Sequence, residues 1–94
     1  MEIEQIKTQV VPILRRHHIS RAGLFGSVVT GHADEQSDID ILVQLGRKMG
    51  LLEFVSIKYE LEDVLHKNVD LVEYRAIKPA LKSRILSEAV RIYG

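Results

Sequence analysis

The sequence predicts an α/β sandwich, with helices packed on a small mixed sheet of at least three strands. Three observations lead there. Stretches with apolar residues every three or four positions alternate with short β-branched runs, the pattern from which layered α/β folds are built. The 94 residues suit one domain over 1–94, and 46% apolar with 28% charged residues is the balance of an ordinary globular protein. The chain has no cysteine, which excludes a disulfide framework and a thiolate metal site.

Ile3, Ile6, Val10, Ile13 and Leu14 recur at helical spacing and predict an amphipathic helix over about residues 2–17. Arg15, Arg16, His17 and His18 crowd its last turn, where the helix dipole favours positive charge. The adjacent pair His17-His18 diverges by about 100° on a helix, so both are expected as surface histidines rather than a chelating pair. Gly23-Leu24-Phe25 suggests a short strand near 22–25, stopped by Gly26. Ser27 is placed to cap a short helix ending near Gly31, and His32 to Ser37 reads as a polar loop.

Asp38 to Leu45 carries Ile39, Ile41, Leu42 and Val43 and reads as a strand. Phe54, Ile57, Leu61 and Val64 predict a helix over about 50–66, with Leu51, Val55 and Leu65 widening its apolar stripe. Val69-Asp70-Leu71-Val72 is a third strand. Pro79 opens a last helix, with Leu81, Ile85, Ala89 and Ile92 along one face. Tyr59 and Tyr93 are expected at the core edge. The predicted order is helix-strand-helix-strand-helix-strand-helix.

No stretch approaches the roughly 20 apolar residues of a membrane span, so no membrane partner is expected. The acidic start, Met1-Glu2-Ile3-Glu4, lacks a signal-peptide core, and a cytoplasmic location follows as the expectation. Thirteen basic residues balance thirteen acidic ones, so net charge argues neither for nor against a nucleic-acid partner, and direct nucleic-acid binding is not expected. Their distribution is more informative. Asp34, Glu35, Asp38 and Asp40 cluster without a basic residue, which suits a cation. Arg75, Lys78, Lys82, Arg84 and Arg91 face only Glu88 in the tail, which suits phosphate or an acidic partner surface.

Asp38 and Asp40 carry the sharpest chemical signal. Alternate strand residues share a face, so their Cα atoms lie roughly 6.5–7 Å apart. Two carboxylates that close repel unless a proton or cation intervenes. Oxygen-only ligands favour Mg²⁺, with Mn²⁺ as its substitute, and such metals accept triphosphate oxygens as further ligands. Gly26 lets backbone approach a ligand closely, and Ser27 adds a hydroxyl beside N–H groups that lack helical partners, together a candidate phosphate cradle. Ser37 is placed to orient the loop into Asp38. Each feature alone also fits a bland role, as cap, turn or solvated strand start.

Gly26-Ser27, ten residues, then Asp38-x-Asp40 and an apolar strand resembles the signature of the DNA polymerase β-type nucleotidyltransferase superfamily. The framing Leu24-Phe25-Gly26-Ser27 and Ser37-Asp38-Ile39-Asp40 is similar to its smallest branch, the minimal nucleotidyltransferase (MNT) proteins, antitoxins of HEPN/MNT modules. The resemblance implies the nucleotidyltransferase fold. It implies that Asp38 and Asp40 bind the metals, that Asp70 completes the metal site and helps deprotonate an attacking hydroxyl, and that Gly26, Ser27 and Ser37 contact the nucleotide. The sequence adds that Asp70 is a lone carboxylate in an apolar strand; Glu73 is the fallback. The implied reaction moves AMP from ATP to a hydroxyl, expected to be a tyrosine of a HEPN toxin partner.

One departure stands out. Members of the family often carry arginines after the Gly-Ser pair, whereas this chain has Val28, Val29 and Thr30. Phosphate contact would then rest on backbone, Ser27 and Thr30, or a cation such as Arg21 or Lys48 would substitute. The departure leaves open a catalytically silent module that neutralises its partner by contact alone. Base preference, acceptor identity and oligomeric state are not legible.

Overall fold

A computed structural model describes residues 2–94; Met1 of the acidic start lies outside the described residues. The elements are α1 (Ile3–Arg16), β1 (Ile19–Phe25), α2 (Ser27–Thr30), β2 (Ile39–Leu45), α3 (Leu51–Leu65), β3 (Val69–Glu73), a 3₁₀ turn (Tyr74–Ala76), α4 (Pro79–Glu88) and β4 (Val90–Tyr93). The strands form one sheet in the order β3-β2-β1-β4. β1 runs antiparallel to both β2 and β4, while β2 and β3 are parallel, so the sheet is mixed. Parallel neighbours need a crossover, and α3 supplies it.

One face of the sheet carries the core. Ala22 and Leu24 of β1, Ile39, Ile41 and Val43 of β2, Val69 and Leu71 of β3 and Ile92 of β4 form one buried cluster with α1 and α3. From α1 come Ile6, Val10, Ile13 and Leu14, and from α3 Ile57, Leu61 and Leu65, each set at the spacing of one helical face. The start of α1 is held by Gln5, whose side-chain oxygen accepts the Glu2 N–H at 2.9 Å.

The other face is covered only in part. Leu42 is fully buried there, and a Cβ on Gly23 would crowd the Tyr74 hydroxyl at 3.0 Å and the Val90 carbonyl at 3.2 Å. The chain after β3 therefore closes tightly over the middle of β1. α4 has no buried residue and lies at the periphery.

Several expectations are corrected. The last helix stops at Glu88, and Ala89 turns extended (φ −65°, ψ 141°), so that Val90 to Tyr93 become a fourth strand. Ile92, expected on the helix, instead enters the core from β4 at 3% exposure. The i, i+4 spacing from Leu81 to Ile92 imitated a helical stripe, and pairing with the open edge of β1 overrode it. β1 begins at Ile19, three residues earlier than expected. Leu51 and Tyr59 are 77% and 61% exposed, so neither joins the core.

His17 also departs from its surface expectation. Its side chain is only 15% exposed, with Nδ1 3.1 Å from Glu53 Oε2 and Nε2 2.9 Å from Glu60 Oε1. It clips the end of α1 to α3. His18 follows in a left-handed conformation (φ 61°) and remains exposed.

Candidate active site

β1 ends at Phe25, which pairs with Asp40 of β2, and the chain turns sharply at Gly26. Gly26 has φ +75° and ψ −150°, backbone that L side chains rarely adopt. A Cβ there would also collide with Asp40 Oδ2. Conformation and space both demand glycine, and the missing side chain lets the Asp40 carboxylate lie against the turn.

Gly26, rather than Ser27, is the N-cap of α2; Ser27 is its first helical residue. The Gly26 carbonyl accepts the N–H groups of Val29 and Thr30 at 3.1 Å, and Gly31 ends the turn in left-handed conformation. The Ser27 hydroxyl makes no hydrogen bond among the described residues. Val28 and Val29 pack against the core. A four-residue helix adds little macrodipole, so an anion here would be held by individual N–H groups and the hydroxyl.

Asp38 lies immediately before β2, not within it, and is exposed. Ile39 is tied to the start of β3 by its N–H, which donates to the Asn68 carbonyl at 2.9 Å. The parallel register that follows sets Ile39 beside Val69 and Asp40 directly beside Asp70. Adjacent strands are about 4.8 Å apart, so Asp40 and Asp70 are nearest neighbours, and alternation puts both on the face opposite the core. Glu73, the fallback, pairs instead with Val43 and bonds Arg75.

The electrostatics match this crowding. Partial burial pushes the Asp40 carboxyl above the usual carboxylate range, and the negative charges of Asp70 and Asp38 push it further. Among the described residues none of Asp38, Asp40 and Asp70 has a salt-bridge partner. Nor are any three acidic or histidine side chains among the described residues gathered into a ready coordination sphere. The three carboxylates are thus neighbours without being closed on one point. Uncompensated oxygen donors in this arrangement fit a hard divalent cation, which would remove the repulsion that keeps them apart.

Ser37 precedes Asp38 and is half-buried. Its hydroxyl accepts the Asp34 N–H at 2.9 Å and lies 3.1 Å from Asp34 Oδ1, which also accepts the Gln36 N–H at 2.8 Å. The bond from the Gln36 backbone N–H, then that from the Ser37 hydroxyl, holds the Asp34 carboxyl below its usual range. Ser37 therefore shapes the loop that presents Asp38. Sequence reasoning missed Lys67, whose Nζ donates to the Glu35 carbonyl at 2.7 Å and pins the same loop to the end of α3. Lys67, His66, Ser37 and Asp38 line one polar hollow of about 420 Å³. A basic residue just after a predicted helix was the only available signal. Arg21 and Lys48, considered as substitutes for the absent arginines, lie at the far end of the sheet: Arg21 pairs with Gln44, four residues along β2 from Asp40. His32 is exposed, its Nδ1 3.1 Å from the Thr30 hydroxyl and its backbone N–H donating to the Ser27 carbonyl.

The polymerase beta nucleotidyltransferase family model matches residues 8–94. A Methanocaldococcus jannaschii protein with the provisional name of a protein adenylyltransferase is 50% identical over 92 residues, covering 98% of this chain and 99% of that one. Protein adenylyltransferase MntA of Thermococcus cleftensis is 39% identical over 92 residues, covering 97% and 93%. Among solved structures, one provisionally assigned as a minimal nucleotidyltransferase superposes with a TM-score of 0.81 at 35% identity, covering 96% of this chain and 95% of that one. Another, a tri-AMPylated Shewanella oneidensis HEPN toxin in complex with MNT antitoxin, gives 0.75 at 22% identity, covering 97% and 71%; at that identity the likeness speaks to fold alone.

Proposed function

The chain belongs to the polymerase beta nucleotidyltransferase family, and from that membership we propose that it transfers AMP from ATP to a tyrosine hydroxyl of a HEPN-domain partner, acting as an antitoxin. That it is a nucleotidyltransferase follows from the family and its protein adenylyltransferase relatives. The observation that carries the finer reading is the Asp40–Asp70 register beneath Gly26, three carboxylates without a salt-bridge partner among the described residues.

In this reading Asp38 and Asp40 hold Mg²⁺, with Mn²⁺ as substitute, and Asp70 completes the ligand set. When bound, that ion would neutralise charge at the phosphates and lower the pKa of the acceptor hydroxyl. Asp70 faces the attacking side and takes the hydroxyl proton. The acceptor oxygen bonds to the α-phosphorus as the bond to pyrophosphate breaks. Gly26 and Ser27 hold the triphosphate through N–H groups and a hydroxyl, and much of the rate comes from positioning. Ser37 keeps Asp38 at the rim. The HEPN assignment draws on the MNT resemblance, which the MntA relative at 39% identity supports.

The test is intact-mass analysis of a co-expressed HEPN partner after incubation with Mg²⁺ and ATP. The expected result is a gain of whole adenylyl groups on a tyrosine, absent with the Asp38→Ala/Asp40→Ala protein. Undiminished transfer by that double variant would sink the mechanism. The contact-only alternative, favoured by Val28-Val29-Thr30, predicts no Mg²⁺-dependent ATP binding in calorimetry.

A further inference from the structure

A second concavity, of about 730 Å³, lies at the opposite end of the sheet from the carboxylates. Arg21, Arg47, Lys48, Arg75 and Lys82 line it, against the single carboxylate of Glu73. Arg75 is paired with Glu73 at 3.0 Å and Arg47 with Glu53 at 2.8 Å. Arg21, Lys48 and Lys82 have no salt-bridge partner among the described residues. Arg21 lies over the Tyr74 ring, its guanidinium carbon 4.3 Å from the centroid, and its Nε is buried without a hydrogen-bond partner among the described residues. Such a held, undercompensated guanidinium attracts an anion.

The floor is not purely cationic. Leu45, Met49 and Leu86 line the same cleft. Leu86 and Lys82 stand four residues apart on α4 and so share a face of a helix that buries nothing within the chain. A phosphodiester backbone would meet the cations but leave those apolar groups unmatched. An acidic peptide carrying apolar side chains satisfies both.

Placement supplies the link to chemistry. Arg21, Gly23 and Phe25 alternate along one face of β1, opposite Gln44, Leu42 and Asp40 of β2. Cleft and carboxylates therefore share a face, separated by four residues of strand, roughly 13 Å at the strand rise. Tyr74 covers Gly23 and Leu42 between them, so an extended peptide runs over that ring and spans the distance in about four or five residues.

We propose that this cleft docks an acidic, apolar-containing segment of the protein that accepts the nucleotide, about four residues from the accepting hydroxyl. The proposal rests on the reading that transfer goes to a protein hydroxyl. Arg21, Lys48 and Lys82 face the segment's carboxylates, and Leu45, Met49 and Leu86 its apolar side chains. Docking there sets which hydroxyl reaches Asp70.

The probe is a fluorescein-labelled synthetic peptide with a tyrosine four residues before an alternating Glu-Leu run, followed by fluorescence polarisation. Wild type is compared with the Lys48→Glu/Lys82→Glu variant, whose changes lie on exposed side chains remote from the carboxylates. Wild type is expected to bind the peptide, the variant roughly tenfold more weakly, and added salt to weaken binding. No binding by wild type, or equal binding by both proteins, overturns the proposal. So does an oligouridylate that displaces the peptide and shows the same dependence on the variant, because it assigns the cleft to nucleic acid. Calorimetry of Mg²⁺-ATP on both proteins keeps the readings apart: failure of ATP binding counts against transfer, while the peptide result still judges the cleft.

Discussion

Two groups of carboxylates in this molecule are treated in opposite ways. Glu53 and Glu60, on α3, are held below the usual carboxylate range, Glu53 chiefly by its bond to Arg47 and then His17, Glu60 chiefly by its bond to His17. Asp40 is pushed upward by burial and then by Asp70 and Asp38. The first group has a cation for every acid and stitches α1 to α3. The second has acids beside acids. Where a carboxylate serves the fold, the chain provides its own partner; where it is left without one, the missing charge points to something from outside.

The largest expected effect breaks that contrast at Asp40. Asp40→Asn keeps the shape and removes the charge, so nucleotidyl transfer should fall on the order of a thousandfold or more. The same variant should melt at a higher temperature than wild type at neutral pH without metal. The sign follows from the raised folded pKa. Ionised Asp40 costs stability above that pKa, and the cost vanishes as pH falls below the unfolded value. The melting advantage of the variant should therefore shrink on acidification, as should the stabilisation that Mg²⁺ gives wild type. Calorimetric scans across acidic to neutral pH, with and without Mg²⁺, check both. A variant less stable than wild type at neutral pH would mean that Asp40 is compensated after all.

The structural group should behave inversely. His17→Ala removes the imidazole from two α3 carboxylates that keep Arg47 and Arg16 as partners, so a small loss of stability is expected in urea unfolding. Transfer by the folded fraction should stay unchanged. Lowering the pH should weaken this region too, because acids held below their usual range stabilise the fold above their unfolded pKa and cease to do so as pH falls through the folded one. The smallest effect concerns the bare turn after Gly26. Thr30 is exposed, so Thr30→Arg adds a cation without disturbing Val28 or Val29 in the core. ATP affinity should rise by roughly twofold to fivefold at low salt and little at high salt, read by calorimetry.

The contrast also marks what could be read from sequence. Elements with their own period, α1 and α3, and the β-branched run of β2 declare themselves locally. The Gly-Ser and Asp-x-Asp spacing singled out Gly26, Asp38 and Asp40, and the family resemblance is upheld over residues 8–94. What escaped depends on distant pairing. β4 exists because β1 offers an edge, and its four residues have no period of their own. The role of His17 needs Glu53 and Glu60, 36 and 43 residues away. Arg21 could be imagined near a phosphate until the antiparallel register placed it opposite Gln44.

The parallel pairing of β2 and β3 has a bearing on how this chain can change over generations. Asp40 and Asp70 meet because the segment between them returns the chain at one fixed offset, with Asn68 anchoring the first rung. Adding or removing one residue between Leu65 and Val69 would shift the offset and turn Asp70 toward the oily layer, silencing the protein with every acid intact. Length drift should be tolerated in the loop from His32 to Gln36 far better than in that return, so aligned descendants are expected to vary in one gap and to be uniform in the other.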